Sequence, residues 1–316
     1  MLVLGIDAGG SKTVCYLADD AERVHGEGRA GGANLQAQGE LEVEKVLHEA
    51  TEQALGSHPG PVAAVCVGMA GADRETDHQV VAGIMRRLGF RVPTLIVSDA
   101  RVALVAGCGD TPGVVIISGT GSICYGVDAA GRAARAGGWG YVLADEGSGY
   151  WIGREALMAV MRAFDGRGPA TRLTPVVLDH FGARDAAQLV PAVYDGGLRR
   201  DAIAALAPLV SGAVEAGDPV AGEILSRAAS ELARAAESVI SRLDMRGAVF
   251  PTLLAGGAFR AAPSLAVRLT ALLGEVAPRS TVAPLAVEPA VGAVRLAIAE
   301  AAGRGLRPPP LGASSS

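Results

Sequence analysis

The chain begins with a glycine-rich turn that could hold phosphate. The stretch "GIDAGGSKT", Gly5 to Thr13, differs by one residue from the Walker A pattern G-x-x-x-x-G-K-[ST], because Ser11 separates Gly10 from Lys12. A Walker A loop opens a helix whose N-terminal amides face the phosphates. Here the β-branched and aromatic run "TVCYL" follows the turn and predicts a second strand. We therefore expect a β-hairpin, whose backbone amides can still surround phosphate.

A second glycine-rich turn lies near the middle of the chain. The stretch "GVVIISGTGSICYGVDAAGRA", Gly113 to Ala133, repeats the N-terminal order of apolar strand, small-residue turn and strand. Both copies carry Ser, Cys and Tyr in the same order, followed by an Asp. Such an internal repeat predicts a duplicated α/β domain with a boundary near Asp110–Gly113. Two paired turns of this kind predict a nucleotide site, with Asp7 at the end of the first strand holding Mg²⁺ through water.

Asp99 occupies a position that suits catalysis. It follows the apolar strand "TLIV" and precedes a helix, so its carboxylate should lie at the carboxyl edge of a sheet. Open α/β sheets bind their ligands at that edge. The alternative is that Asp99 only caps the following helix.

Alternating strand and helix patterns predict two domains. We expect strands at "LVLGID", "TVCYLADD", "ERVHGEGRA", "VAAVCVGMAG" and "TLIVSDA", with helices over 40–55, 75–88 and about 100–106. The second half should contain a helix over 150–164, a mostly helical insertion to about 243, strands at "VFPTLLAGGAF" and "STVAPLAV", and a final helix over 289–302. The predicted domains are 1–112 and 113–303, with 304–316 as a disordered tail.

Composition argues against several classes of protein. The net charge is −5 without a basic run, which disfavours nucleic-acid binding. The four cysteines are far apart, form no C-x-x-C and have no His at metal-ligand spacing, which disfavours zinc and iron–sulfur sites. There is neither a signal-peptide pattern nor an apolar run of the ~20 residues that a membrane span needs. We therefore expect a cytoplasmic protein.

Four motifs together carry a family resemblance. In order and spacing, "DAGGSKT", "SGTGS", "GGWGYVLADEGSGYWIG" and "LAGGAF" resemble the N-acetylglucosamine kinase family. That family is part of a larger ATPase superfamily, the BadF/BadG/BcrA/BcrD type, which includes the activators of benzoyl-CoA reductase and 2-hydroxyacyl-CoA dehydratase. The resemblance runs from Met1 to about Ala302. It implies an actin-like, hexokinase-like and Hsp70-like fold, in which two RNase H-like domains flank a cleft that binds ATP.

The resemblance also assigns roles to individual residues. Asp7 would position Mg²⁺, and Asp99 would be the base that accepts the proton of the attacking sugar hydroxyl. The residues implied to bind ATP are Gly9, Gly10, Ser11, Lys12, Thr13, Gly119, Thr120, Gly121, Gly256, Gly257 and Ala258. The residues implied to bind the sugar are Asn34, Asp99, Gly138, Trp139, Gly140 and Asp145.

Each implied sugar contact has a plain structural alternative. Asn34 could be a left-handed turn residue, Trp139 could belong to the core, and Asp145 with Glu146 could cap the helix that begins near Tyr150. The Gly256–Ala258 turn could be a strand-to-helix connection that needs a positive φ. Lys12 could lie near the phosphates or point to solvent.

The implied activity is ATP-dependent phosphorylation of the 6-hydroxyl of N-acetylglucosamine, by an enzyme that is commonly a homodimer. Animal members have Asn where this chain has Ile123, which leaves glucosamine and N-acetylmuramic acid open as substrates. Three other classes remain as alternatives: an activator ATPase with a bridging iron–sulfur cluster, a kinase of the repressor/ORF/kinase (ROK) group, and a sensor that binds ligands without turnover. The absence of a cysteine-rich zinc motif disfavours the ROK alternative, and the presence of Asp7, Asp99 and Asp145 disfavours the sensor.

Overall fold

The computed structural model describes residues 1–58, 60–72, 74–195 and 198–304. The chain divides into two compact units. The first unit contains Met1–Val115, Tyr125–Ala134 and Ala283–Ser316, and the second contains Ile116–Cys124 and Arg135–Val282. The predicted boundary at residue 112 stays a prediction. Apart from Arg304, the predicted disordered tail lies outside the described residues.

The N-terminal sheet brings the ends of three parallel strands to one edge. Its strand order is β3-β2-β1-β4-β5. β1 pairs antiparallel with β2 and parallel with β4, and β4 pairs parallel with β5. The strands are β1 (Leu2–Ala8), β2 (Lys12–Asp19), β3 (Val24–Gly31), β4 (Val62–Met69) and β5 (Thr94–Ser98). Residues that directly follow β1, β4 and β5 therefore share the carboxyl edge of this sheet.

The second sheet has the same strand order as the first. Its order is β10-β9-β6-β7-β8. In reverse this order is β8-β7-β6-β9-β10, so that β6 to β10 correspond in turn to β1 to β5 of the order β3-β2-β1-β4-β5. Its strands are β6 (Gly113–Ser118), β7 (Ser122–Val127), β8 (Ala133–Gly137), β9 (Pro251–Ala255) and β10 (Thr281–Pro284). The division between the two units passes through β6, β7, β8 and β10. The prediction of a duplicated α/β fold is confirmed.

The repeat extends to single hydrogen bonds in the turns after β2 and β7. Asp19 accepts from the backbone N–H groups of Ala21 and Arg23 at 3.0 Å each, and from the Arg23 side chain at 2.8 Å. Asp128 accepts from the corresponding groups, the N–H of Ala130 at 2.9 Å and the N–H and side chain of Arg132 at 2.8 and 2.6 Å. The Asp that the two copies share in sequence therefore closes the same turn in each.

The predicted long helices are present, with small changes at their ends. They are α2 (Glu40–Leu55), α3 (Glu75–Arg87), α4 (Asp99–Cys108), α5 (Gly149–Phe164) and α13 (Ala290–Ala301). A single turn, α1 (Leu35–Gln38), was not predicted. The insertion is helical as expected, and its helices are α6 (Leu173–Phe181), α7 (Leu189–Tyr194), α8 (Arg200–Ala204), α9 (Ala207–Glu215) and α10 (Pro219–Arg242). Two further helices follow β9, α11 (Gly257–Ala261) and α12 (Pro263–Val276). In the described part of the chain, no helix combines the length and apolar character that crossing a membrane requires.

The C-terminal helix α13 is part of the first unit's core. Its Val294 and Leu296 pack with Val3 and Val14 of the sheet and with Val102 of α4. A Cβ on Gly292 would lie 1.9 Å from the carbonyl oxygen of Val102, so only glycine permits this approach. The chain thus returns to the N-terminal sheet at its end and holds the residue before α13 near the turn between β1 and β2.

We predict that Asp19→Asn reduces stability at neutral pH and that this loss shrinks at acidic pH. Hydrogen bonds from His25, and then from Arg23, hold the pKa of Asp19 well below its usual range. A depressed folded-state pKa contributes stability above the unfolded value, about 3.9, and the contribution disappears as pH falls through the folded value. The difference in the free energy of unfolding between the wild type and the variant, measured by urea titration between pH 7 and pH 3, should therefore be constant near neutral pH and begin to narrow below about pH 4. Asp20→Asn removes a neighbouring exposed carboxylate that pairs with the N-terminal ammonium, and this control should cost less stability at pH 7 than Asp19→Asn.

Candidate functional site

The turn between β1 and β2 is the hairpin that the sequence predicted. The Gly9 N–H donates to the carbonyl oxygen of Lys12 at 3.0 Å. A Cβ on Gly10 would meet no atom within 4 Å, so the backbone here is open to a ligand. The loop before Asn34 supports the turn: Ala33 donates to the Gly9 carbonyl at 2.9 Å, and a Cβ on Gly32 would lie 2.3 Å from the Gly10 oxygen. The Walker A alternative is therefore wrong, since β2 and not a helix follows.

The side chains in this turn differ in exposure. Ser11 and Lys12 are exposed, whereas the Thr13 side chain is fully buried. The Thr13 hydroxyl has no hydrogen-bond partner among the described residues. An unsatisfied buried hydroxyl is costly, and Thr13 directly follows the turn that the resemblance assigns to phosphate.

Two carboxylates, Asp7 and Asp99, lie at the carboxyl edge of the first sheet. Asp7 is buried and lies opposite Gly68 of β4, and Asp99 directly follows β5. Burial, and then the charge of Asp99, raise the pKa of Asp7 to about 8, while Lys12 opposes the rise and Glu288 adds to it. A cation near this pair favours the ionised form.

Asp99 is not the cap of α4. The cap is Ser98, whose side chain accepts from the Arg101 N–H at 3.3 Å. Asp99 is the first residue of the helix, and its carboxylate accepts from the Ala100 N–H at 2.8 Å. The capping alternative is therefore wrong, because Ser98 already satisfies the helix end.

Asn34 is held beside the loop that follows β4. Its backbone is extended, with φ −114°, so the left-handed alternative is wrong. Its side-chain oxygen accepts from the Ala37 N–H at 3.1 Å and caps α1. A Cβ on Gly71 would lie 3.0 Å from the same oxygen. Gln36 extends this polar cluster by donating to Asp77 at 3.0 Å.

The second glycine turn, between β6 and β7, is supported by the loop that precedes α5. The Gly119 N–H donates to the Gly121 carbonyl at 2.9 Å, and Gly149 donates to the Gly119 carbonyl at 2.8 Å. The hydroxyl of Ser118 donates to the Gly147 carbonyl at 2.8 Å, and that of Ser122 to the Glu146 carbonyl at 2.7 Å. The loop "ADEGS" thus fixes the turn from one side.

Asp145 is a buried carboxylate in that loop. Its oxygen accepts from the Ser122 N–H at 3.1 Å, and both oxygens lie 3.0–3.1 Å from where a Cβ on Gly121 would be. Burial raises the pKa of Asp145, while the Ser122 N–H and the charge of Arg200 oppose the rise. The cap of α5 is Ser148, which accepts from the Trp151 N–H at 3.1 Å. The alternative of an Asp145–Glu146 cap is therefore wrong.

Trp139 is a surface residue. Its side chain is 61% exposed, and the guanidinium carbon of Arg135 lies 3.9 Å from the ring centre. The alternative of a core Trp is wrong. Beneath it, Gly138 has φ +73°, and a Cβ there would lie 2.8 Å from Ile123. Ile123 therefore supports the backbone of this loop by packing under Gly138.

The turn that follows β9 packs closely against the turn between β6 and β7. Gly256 has φ +105°, and a Cβ there would lie 2.2 Å from the carbonyl oxygen of Ser118. Gly257 and Ala258 begin α11. The turn is thus a strand-to-helix connection with a positive φ, and it places Gly256 directly beside β6.

The predicted site residues are divided between the two units. The first unit contains Asp7, Gly9, Gly10, Ser11, Lys12, Thr13, Asn34 and Asp99, and the second contains Gly119, Thr120, Gly121, Gly138, Trp139, Gly140, Asp145, Gly256, Gly257 and Ala258. Within the described ranges no three His, Cys, Asp or Glu side chains form a group that could enclose a metal.

Sequence reasoning missed three charged residues near the predicted site residues. Glu288 lies in "VEPAV", just before the final helix, and pairs with Lys12. Arg135 stacks on Trp139, and Arg200 stacks on Tyr141 at 5.1 Å. None of the three belongs to a recognisable motif, and only the apolar helix that follows Glu288 hinted at its position.

A duplicated α/β fold with glycine turns and a carboxylate at a strand edge suits an ATP-dependent phosphotransferase. The chain belongs to the BadF/BadG/BcrA/BcrD ATPase family, whose model matches residues 4–297.

Named relatives and solved structures match nearly the whole chain. An N-acetylmuramic acid/N-acetylglucosamine kinase of Clostridium acetobutylicum is 36% identical over 94% of this chain and 98% of its own length. An N-acetyl-D-glucosamine kinase of Dictyostelium discoideum is 32% identical over the same shares. A crystal structure from Chromobacterium violaceum, provisionally named N-acetylglucosamine kinase, matches with a TM-score of 0.73 at 26% identity, over 93% of this chain and 97% of that one.

We predict that Gly256→Ala destabilises the protein and that Gly257→Ala does not. The first change strains a positive φ and forces a methyl group against a backbone carbonyl, which should lower the free energy of unfolding by ~1–3 kcal/mol. The control places a methyl group whose nearest neighbour is the Arg260 side chain at 3.9 Å. Denaturant titration of both variants measures the difference. Equal stability would mean that the close approach to Ser118 is not required.

Proposed function

We propose that this protein is an ATP-dependent amino sugar kinase that phosphorylates the 6-hydroxyl of N-acetylglucosamine. The observation that carries the proposal is the placement of Asp99 at the carboxyl edge of β5, beside the buried Asp7 and in the same unit as an open glycine turn. Phosphoryl transfer depends on positioning and charge stabilisation, and this arrangement supplies both. The substrates in the names of the relatives, N-acetylglucosamine, N-acetylmuramic acid and glucosamine, support an amino sugar as the acceptor.

The residues present fit a nucleotide. At Gly10 and Gly119 a Cβ would meet no atom within 4 Å, so no other segment covers the two turns at these positions. Backbone amides in such turns form anion-binding concavities, and glycine lets a phosphate approach them closely.

The carboxylates also fit Mg²⁺. Magnesium keeps several waters and binds through one or two carboxylates together with substrate phosphates, so a cage of three protein side chains is not required. Asp7 would hold the ion, which would neutralise charge on the transferred phosphoryl group.

In the proposed mechanism, Asp99 accepts the proton of the attacking 6-hydroxyl. Its backbone position at the start of α4 is fixed by the Ser98 cap, so the carboxylate has a defined place at the strand edge. Asn34 and Asp145 would accept or donate hydrogen bonds to ring hydroxyls, while Gly138, Trp139 and Gly140 would form the platform under the sugar. These sugar contacts are proposals that the family resemblance supports.

The activator alternative fits the cysteines poorly. Cys15, Cys66 and Cys124 are fully buried in β2, β4 and β7, and burial raises their thiol pKa, to about 12 for Cys66. A bridging iron–sulfur cluster needs thiolates at an accessible surface. A homodimer and a cytoplasmic location remain proposals.

We predict sugar-dependent release of ADP. The assay compares ADP production with glucose, glucosamine, N-acetylglucosamine, N-acetylmannosamine and N-acetylmuramic acid, each at several concentrations. N-acetylglucosamine should give the highest kcat/KM. An equal rate with every sugar and without sugar would contradict the kinase function, and a preference for another amino sugar would change only the substrate.

We predict that Asp99→Asn lowers kcat by at least ~10²-fold, the range for loss of a general base. The isosteric amide can still hydrogen-bond to the sugar but cannot accept its proton. ADP production by the variant measures kcat, and calorimetric titration of the sugar measures binding, which should change little. Asp110→Asn, at an exposed position of the same unit, is the control. Unchanged kcat in Asp99→Asn would remove Asp99 from its role.

A further inference from the structure

An ion pair connects the first glycine turn to the start of α13. The ammonium nitrogen of Lys12 lies 2.7 and 3.0 Å from the two carboxylate oxygens of Glu288. Glu288 comes two residues before α13, and that helix is fixed against β1, because a Cβ on Gly5 would lie 2.3 Å from the Val294 nitrogen. The carboxylate is therefore held at the turn by the core of the unit.

Negative charge exceeds positive charge around this pair. The charges of Asp99 and Glu288 raise the pKa of Asp7, and the charge of Lys12 lowers it. Arg29 comes within 3.8 Å of Glu288, but its side chain bonds to Glu27. In this structure the charge of Lys12 is thus already compensated by Glu288.

A phosphate group at the turn would compete with Glu288 for the same ammonium. Lys12 is half exposed and Glu288 is about one-third exposed, so the pair can open without disturbing the core. An exposed ion pair is weak, and solvent can replace it. Repulsion between the Glu288 carboxylate and a polyphosphate would also weaken binding of the polyphosphate.

We propose that Glu288 is the counter-ion that a nucleotide phosphate must displace from Lys12, so that Glu288 weakens nucleotide binding and favours release of the nucleoside diphosphate. The proposal rests on the proposed function only in placing phosphates at the first glycine turn. Glu288 acts only through its ion pair with Lys12 and would not contact the nucleotide. It takes no part in proton transfer.

The test is a calorimetric titration of ADP with Mg²⁺ into the full-length protein, without sugar. Glu288→Gln should bind ADP roughly 2- to 5-fold more tightly than the wild type, the range that one exposed ion pair allows. Lys12→Met should bind it more weakly. The gain in Glu288→Gln should shrink when salt is raised to about 0.5 M, because exposed charges are screened. Weaker or unchanged binding by Glu288→Gln would overturn the proposal.

A matched control is available in the same unit. Arg295 of α13 pairs with Glu22 of the β2–β3 turn at 3.0 and 3.1 Å, which is a second exposed ion pair that ties α13 to a hairpin. Glu22→Gln removes the same charge from the chain without touching Lys12, so ADP affinity should stay that of the wild type. An equal gain in this control would show a general charge effect and contradict the role of Glu288. Thermal unfolding of each variant verifies that it is folded.

The outcomes separate this inference from the proposed function. If the ADP affinities follow the predicted order and no sugar stimulates ADP release, the kinase function fails and the role of Glu288 stands. If sugars are phosphorylated and Glu288→Gln also shows stronger inhibition by ADP, both stand. If sugars are phosphorylated and ADP affinity does not rise in Glu288→Gln, only the role of Glu288 fails. A wild-type protein that does not bind ADP contradicts both.

Discussion

The packing of α13 against β1 and α4 is the constraint on which the first unit depends. Cβ atoms on Gly5 and Gly292 would fall within 2.3 Å of backbone atoms, which cannot move aside as the end of a flexible side chain can. Glycine at these two positions lets a helix from the end of the chain contact both a central strand and α4. The same packing fixes the place of Glu288 relative to Lys12. The close packing at Gly5 and Gly292 thus determines that the Glu288 carboxylate lies beside Lys12 in the turn between β1 and β2.

The glycines of the motifs divide into two kinds. Those with empty space beyond the Cα, such as Gly10 and Gly119, are not covered there by another segment of the chain. Others are needed because another chain segment lies close: Gly256 faces the Ser118 carbonyl, and Gly147, with φ +76°, would place a Cβ 2.7 Å from the Ala228 carbonyl of α10. A motif such as "ADEGSG" therefore reflects packing as much as binding. The position of a glycine, more than its presence, indicates which role it has.

Much of the fold could be predicted from local sequence because the relevant signals are local. The strand-forming residues after Thr13 excluded a Walker loop, and the repeated Asp19 and Asp128 showed the duplication. The contacts that join distant segments could not be predicted in this way. Lys12 and Glu288 are 276 residues apart in sequence, and nothing around either one signals the other. The cap of α4 was also unpredictable, since Ser98 and Asp99 are adjacent and both can cap a helix.

The environments of the three carboxylates separate their roles. Asp145 is buried, but a backbone N–H and the charge of Arg200 oppose the effect of burial on its pKa, which suits an acceptor for ring hydroxyls. Asp7 is buried beside a second carboxylate and has a pKa near 8, so its ionised form gains most from a nearby cation. Asp99 is partly exposed and directly follows β5. Carboxylates whose surroundings differ in this way can divide the work of one reaction, which supports the proposal that Asp99 accepts the proton and that Asp7 holds the cation.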